Sequence, residues 1–291
     1  MLGEKTLKIF VFISAASVLL LLFVFASTLL WKSLPSIRVF GYKFLTGTTW
    51  DPISESFSAL PFLVGTLVTS FLALLISFPF SLAIGVVLGE YFNTGVWSYF
   101  FRSLIELLAG IPSVVYGFWG LSFLVPRVRD LQVKFGVMPY GVGIFTSALV
   151  LAIMIIPFSA LMLREMIYLV PKKYKEAALA LGATRFEMIW KVALPYARSG
   201  IFAGFMLALG RAMGETMAVT MVIGNSNDFP RSIFSPGNTM SSLVANEFAE
   251  VSDNFYLSTI IQVALLLFLV TIFINIISKY ITRKLSVRSS L

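Results

Sequence analysis

Residues 9–30 read "IFVFISAASVLLLLFVFASTLL", a stretch without a single charge. A helix of that length crosses the roughly 30 Å hydrocarbon core of a bilayer, where only helices and closed barrels satisfy their own backbone. Five further apolar stretches come after it, at 62–89, 103–125, 137–163, 199–224 and 257–280. None alternates polar and apolar residues as barrel strands do. The expected fold class is therefore an all-α membrane protein with six transmembrane helices. Only 12% of the residues are charged, about half the share of a soluble domain. The basic start resembles that of a signal peptide, but its apolar core is too long and no A-x-A site comes after it. The first span is expected to be retained.

The chain has no Cys and no His. Disulfides, thiolate and imidazole catalysis and the usual zinc sites are therefore excluded, and no catalytic or metal-ligating residue is expected. The net charge of +8 reads as membrane orientation and not as nucleic-acid binding. With the N-terminus inside, 14 Lys and Arg fall on the cytoplasmic side, 7 on the other, and Arg211 within a span. Both termini are then cytoplasmic. Pro79, Pro112 and Pro157 lie inside spans, either bending helices around a pathway or reflecting the tolerance of membrane helices for proline. The organisation expected is a first helix with its external loop (1–61), a core of five spans (62–284) and a tail (285–291), with a cytoplasmic loop at 164–198 inside the core.

That loop carries its own helix signals. Pro171 suits a first helical turn, "KKYKEAALAL" continues it, and Gly182 suits a left-handed C-cap. Thr184 and Glu187 have the capping-box spacing of a second helix, expected to end before Pro195. A basic, amphipathic hairpin of this kind either lies on anionic membrane lipid or docks on a soluble partner. The chain contains no G-x-x-x-x-G-K-[ST] phosphate loop, so ATP is expected to bind elsewhere.

The segment "LGRAMGETMAVTMVIGN" places Arg211 and Glu215 inside the fifth apolar stretch. Each charge alone costs about 2.5–3.5 kcal/mol at a helix centre. Four apart on one helix, the two are expected to form an ion pair. Gly200 and Gly204, then Gly210 and Gly214, each match G-x-x-x-G and are expected to admit a neighbouring helix closely. The pair is read either as a structural bundle contact or as part of a transport pathway. Thr216, Thr220, Ser113 and Tyr116 are further candidates for pathway hydroxyls, although mid-helix Ser and Thr commonly bond their own backbone. Glu106 is expected at a solvated interface. "PGNTMSSLVANEFAE" is expected to form a short amphipathic helix at the outer surface.

"EAALALG", nine residues, then "VALP" resembles the EAA loop of ABC importer permeases, with Glu176, Ala177, Ala178, Gly182, Val192, Leu194 and Pro195 at the matching positions. Val192 stands where isoleucine is commoner. The resemblance implies the type I ABC importer permease fold in the cytoplasmic membrane, with the loop's first helix seated on a cytoplasmic ATPase. The Arg211 segment, together with "GTLVTSFLALLISFP", "IELLAGIPSVVYGFWGL" and "PGNTMSSLVANEFAE", is similar to the PstC type of phosphate-specific ABC permease from about residue 34 onward. This second resemblance implies a PstA-like permease partner, two PstB-like ATPase subunits that hold ATP and magnesium, and a PstS-like external phosphate-binding protein. No cofactor is expected on this chain. Two roles for the pair stay open: phosphate displaces Glu215 and takes Arg211 bidentately, or the pair is a latch opened by the ATPase cycle. The alternatives in function are a permease for sulfate or molybdate, and an ion-coupled secondary transporter built on Arg211 and Glu215.

Overall fold

The computed structural model describes residues 2–251 and 253–287. The first apolar run belongs to a longer helix, α1 (Leu2–Phe40). It continues beyond residue 30 because its polar end finds partners. Ser33 and Ser36 are fully buried, and Ser36 Oγ donates to Gln262 Oε1 while its N–H donates to Ser258 Oγ at 3.2 Å. Both partners lie on the last helix, which packs along α1. Residues 288–291 of the tail expected at 285–291 lie outside the described residues.

α2 (Leu60–Tyr91) ends in a π-turn, Val87–Tyr91. The expected third span is two helices, α3 (Val96–Ala109) and α4 (Ser113–Lys134), meeting at 83°. The break arises from Gly110 and Pro112. Proline disfavours helical conformation at Ile111, and it lacks the N–H that would continue the ladder. α5 (Ile144–Tyr168) starts later than expected. Gly141 (φ +73°) and Gly143 (φ +148°) take positive backbone angles that a right-handed helix cannot, and a Cβ at Gly143 would lie 2.6 Å from the Ser235 carbonyl oxygen.

After α5 come α6 (Lys172–Ala180) and α7 (Arg185–Met213), then α8 (Met240–Glu247) and α9 (Asn254–Val287). Five of these helices are long and apolar enough to cross a membrane, and the bent α3–α4 pair makes six where it is counted as one span. α7 differs from expectation at both ends. It runs through Pro195 because the π-turn Ile189–Ala193 comes immediately before it and rearranges the ladder that proline would break. It stops at Met213, with Gly214 as C-cap, well short of residue 224.

α5 is the centre of the bundle. Its Val150, Leu151, Met154 and Ile155 are buried with Ala73, Tyr116, Ala212, Val219, Val222 and Ile223. Lipid is as apolar as these side chains, so close packing and buried hydrogen bonds hold such helices together. The α2–α5 contact shows both. A Cβ at Gly85 would approach Leu163 Cβ to 2.7 Å, and Ser81 Oγ and Ser159 Oγ are hydrogen-bonded at 2.6 Å. Between α1 and α2, the two-residue strands Trp50–Asp51 and Ser56–Phe57 pair antiparallel. Trp50 and Phe57 there pack with Phe44, Phe62 and Tyr256 into an aromatic cap.

Candidate functional site

The basic hairpin forms as its residues dictate. Pro171 is the N-cap of α6. At the other end, Gly182 has φ +87°. Its N–H donates to Leu179 O at 3.0 Å, and the Ala183 N–H donates to Ala178 O at 3.1 Å. This doubly bonded C-terminal turn needs a residue at home in the left-handed region. Thr184 then caps α7. The Glu187 N–H donates to Thr184 Oγ1 at 3.3 Å, and the Thr184 N–H donates to Glu187 Oε2 at 3.0 Å. Thr184→Ala is expected to weaken this first turn by about 1 kcal/mol. Amide hydrogen exchange at residues 185–187 should then speed up about fivefold, and unchanged exchange would show the cap to be idle.

α6 buries none of its residues completely. Glu176 and Ala177 are exposed. Ala178 packs against Met188, Ile189 and Ala193. Leu194 is half-buried beside this cluster, Val192 lies in the π-turn, and Pro195 is in the first turn after it. The hairpin also presents apolar side chains outward: Leu181 is 90% exposed, Phe186 64% and Trp190 52%. A patch of this kind on a basic hairpin marks an interaction surface.

The second site lies where α7 ends. Arg211 is in its last turn and half-buried. Its guanidinium carbon stands 5.3 Å from the centroid of Phe158 on α5, within electrostatic range of the Tyr116 phenol on α4. Glu215 falls beyond the helix end, between Gly214 and the single turn Met217–Thr220. The expected ion pair is therefore absent among the described residues. Four residues apart means one face only while the helix continues, and here it does not. Glu215 instead caps the next turn, with Oε1 accepting from the Ala218 N–H at 3.4 Å. Its carbonyl accepts from Ser241 Oγ at 2.7 Å.

The other expected residues divide. Tyr116 donates its hydroxyl to Leu108 O at 2.8 Å, across the α3–α4 break. Thr216 donates to Gly214 O at 3.3 Å. Both protons are committed to backbone. Thr220 Oγ1, by contrast, is buried without a hydrogen-bond partner. Ser113 is the half-buried first residue of α4. Gly200 and Gly204 pack on α5, where added Cβ atoms would approach Met166 Sδ to 2.3 Å and Met162 Cβ to 3.2 Å. Gly210 and Gly214 do not: a Cβ at Gly210 meets nothing within 4 Å, and one at Gly214 meets only its own chain. Glu106, as expected, is half-exposed, and it accepts from Arg102 at 2.7 Å.

The segment before α8 is inserted deeper than a surface helix would be. Met240 and Leu243 are fully buried, as is the cap residue Thr239. The Met240 N–H donates to Thr66 Oγ1 on α2 at 2.9 Å, and Asn238 crosses directly over Gly65. Phe158 and Ser241 thus join the site around Arg211 and Glu215, while Asn238 and Thr66 hold the inserted segment against α2, and none of the four is expected there from the sequence. The blocks similar to PstC contain Thr66, Asn238 and Ser241, but spacing along separate helices says nothing about their meeting.

Two broken helices and an inserted segment, joined to a basic hairpin with an exposed apolar face, define a membrane permease. The chain belongs to the family of binding-protein-dependent transport system inner membrane components, whose model matches residues 81–287. Its relatives there include the phosphate transport system permease protein PstC of Pasteurella multocida, 42% identical over 95% of this chain and 88% of the relative. PstC of Mesorhizobium japonicum is 39% identical over 95% and 89%. A probable PstC of Methanocaldococcus jannaschii is 34% identical over 87% and 85%. The fold is also that of the inward-facing MetNI methionine ABC transporter (TM-score 0.60, 19% identity, 76% of this chain and 93% of that one). It is shared with a bacterial alginate ABC transporter (TM-score 0.59, 15% identity, 93% and 94%).

Proposed function

We propose that this chain is the PstC-type permease subunit of an ATP-driven importer of inorganic phosphate. The observation that carries the substrate is the 39–42% identity to PstC proteins over 95% of the chain. The chain pairs with a PstA-like subunit, receives phosphate from a PstS-like external protein, and is driven by two PstB-like ATPases that hold ATP and magnesium. It lies in the cytoplasmic membrane with both termini and the basic hairpin inside, as the distribution of Lys and Arg requires. The exposed face of α6, with Leu181 and Phe186, is the ATPase contact. Gly210 and Gly214, which meet no other helix here, face the second permease subunit.

An unpaired Arg211 favours ligation over the latch. Its guanidinium is held by a ring face and not by a carboxylate, so its donors are free for an oxyanion in the bidentate geometry that Arg favours. The orphan Thr220 hydroxyl is a second donor at the same break.

The test is uptake of radiolabelled phosphate into proteoliposomes that hold the four kinds of subunit, with the binding protein outside, ATP inside and sulfate as competitor. Uptake should require both ATP and the binding protein and should ignore sulfate. Inhibition by sulfate would make this a permease for another oxyanion. Uptake driven by an ion gradient without ATP would overturn the importer reading.

A further inference from the structure

The last acidic residue of α2 is buried. Glu90 lies in the π-turn Val87–Tyr91 with 8% of its side chain exposed, and it is ion-paired with Lys175 of α6, 13% exposed. Lys175 Nζ also donates to Ile167 O, near the end of α5, at 3.1 Å. α6 meets the base of α7 through Ala178 and through the Tyr174–Tyr196 ring pair, 5.5 Å between centroids. The Lys175 ammonium group thus ties the first helix of the hairpin to the end of α2 as well as to that of α5, which the chain itself joins to α6 through residues 169–171.

Those two helices form the most extensive helix pair among the described residues. A Cβ at Gly89 would lie 3.0 Å from Ile167 Cγ2, and one at Gly85 3.2 Å from the Arg164 backbone nitrogen. Helices seated this closely do not slide independently. At its other end α2 carries Thr66, which accepts from the Met240 N–H. The next residue, Ser241, donates to the Glu215 carbonyl in the α7 break. A continuous series of packed and hydrogen-bonded groups thus runs from Lys175 to Glu215.

We propose that the buried Lys175–Glu90 pair is the link through which displacement of α6 reaches the α2–α5 unit, and through it the break at Gly214–Thr216. Both are positioning residues, and the inference rests on the importer reading above. An exposed ion pair yields easily to water. A buried one does not, because separating it strands each charge in a poor solvent. When the ATPase moves α6, α2 moves with it, since opening the contact costs more than moving the helix.

The test uses the full reconstituted complex and reads phosphate moved per ATP hydrolysed, alongside co-purification with the ATPase. Glu90→Gln and Lys175→Met should each lower that ratio about tenfold, a typical coupling between sites, while Lys175→Arg retains it. The double variant Glu90→Gln/Lys175→Met leaves no stranded charge. It should assemble like the unaltered complex and remain uncoupled, which a merely structural pair would not produce. An unaltered ratio in the assembled double variant, or in both singles, overturns the proposal. If the unaltered complex hydrolyses ATP in response to the binding protein but moves no phosphate, the substrate reading fails and the link does not. It is then read from stimulated hydrolysis, which should fall about tenfold in the same variants.

Discussion

Arg211→Gln is expected to abolish phosphate uptake, with a loss on the order of a hundredfold from two charge-assisted hydrogen bonds, while the complex still assembles with its ATPase. Assembly should survive because the guanidinium carries no ion pair among the described residues, its contact being the face of Phe158. Glutamine keeps the stem and removes the charge. The same geometry predicts how Glu215→Gln combines with it. Were the two charges paired, removing both would hurt less than removing one. Since the helix ends between them, the double variant should be no better than Arg211→Gln alone. Phosphate uptake with intact-complex yield checks both statements. Normal uptake by Arg211→Gln would remove the residue from the pathway, and rescue by the second substitution would restore the latch.

Gly65→Ala is the second change expected to have a large effect. A Cβ at Gly65 would lie 2.0 Å from the Asn238 carbonyl oxygen and 3.2 Å from its carbon. The obstacle is backbone, so no side-chain rotation relieves it, and overpacking of this kind costs about 1–3 kcal/mol or more. The segment 238–242 must move away from α2, breaking the Met240 N–H bond to Thr66 and shifting Ser241 from the Glu215 carbonyl. Uptake should fall about tenfold or more, with a lower melting temperature of the purified complex. Gly210→Ala, by contrast, meets nothing within this chain. Wild-type uptake and stability in Gly65→Ala would show that the inserted segment adapts freely.

How much of this is legible in the sequence depends on whether a signal is local. The hairpin is readable almost to the atom, because the left-handed turn at Gly182 and the reciprocal Thr184–Glu187 cap involve residues within a few positions of each other. The apolar spans are readable for the same reason. Pro195 misleads because a π-turn just upstream absorbs the missing donor, and nothing in the local pattern announces it. The end of α7 at Met213 is hidden differently. Its continuation, "MAVTMVIG", is as apolar as a helix needs, but it packs on α4, where a Cβ at Gly117 would lie 3.0 Å from the Ala218 Cα. That is a tertiary contact, and the Arg211–Glu215 spacing loses its meaning with it. The Lys175–Glu90 and Ser241–Glu215 contacts join residues far apart in sequence.

α7 has a mechanical consequence of its own. From the Thr184 cap to the Gly214 break it is one continuous span, Arg185–Met213, with the π-turn Ile189–Ala193 near its base, about 43 Å long at the usual helical rise. Its base lies in the hairpin, and its tip carries Arg211. Such an element is a lever arm. A tilt of roughly 5° about its base sweeps the tip through about 4 Å, enough to lift the guanidinium off the Phe158 ring. Under the importer function proposed above, a small stroke at the hairpin is thereby amplified into a displacement of about 4 Å at Arg211.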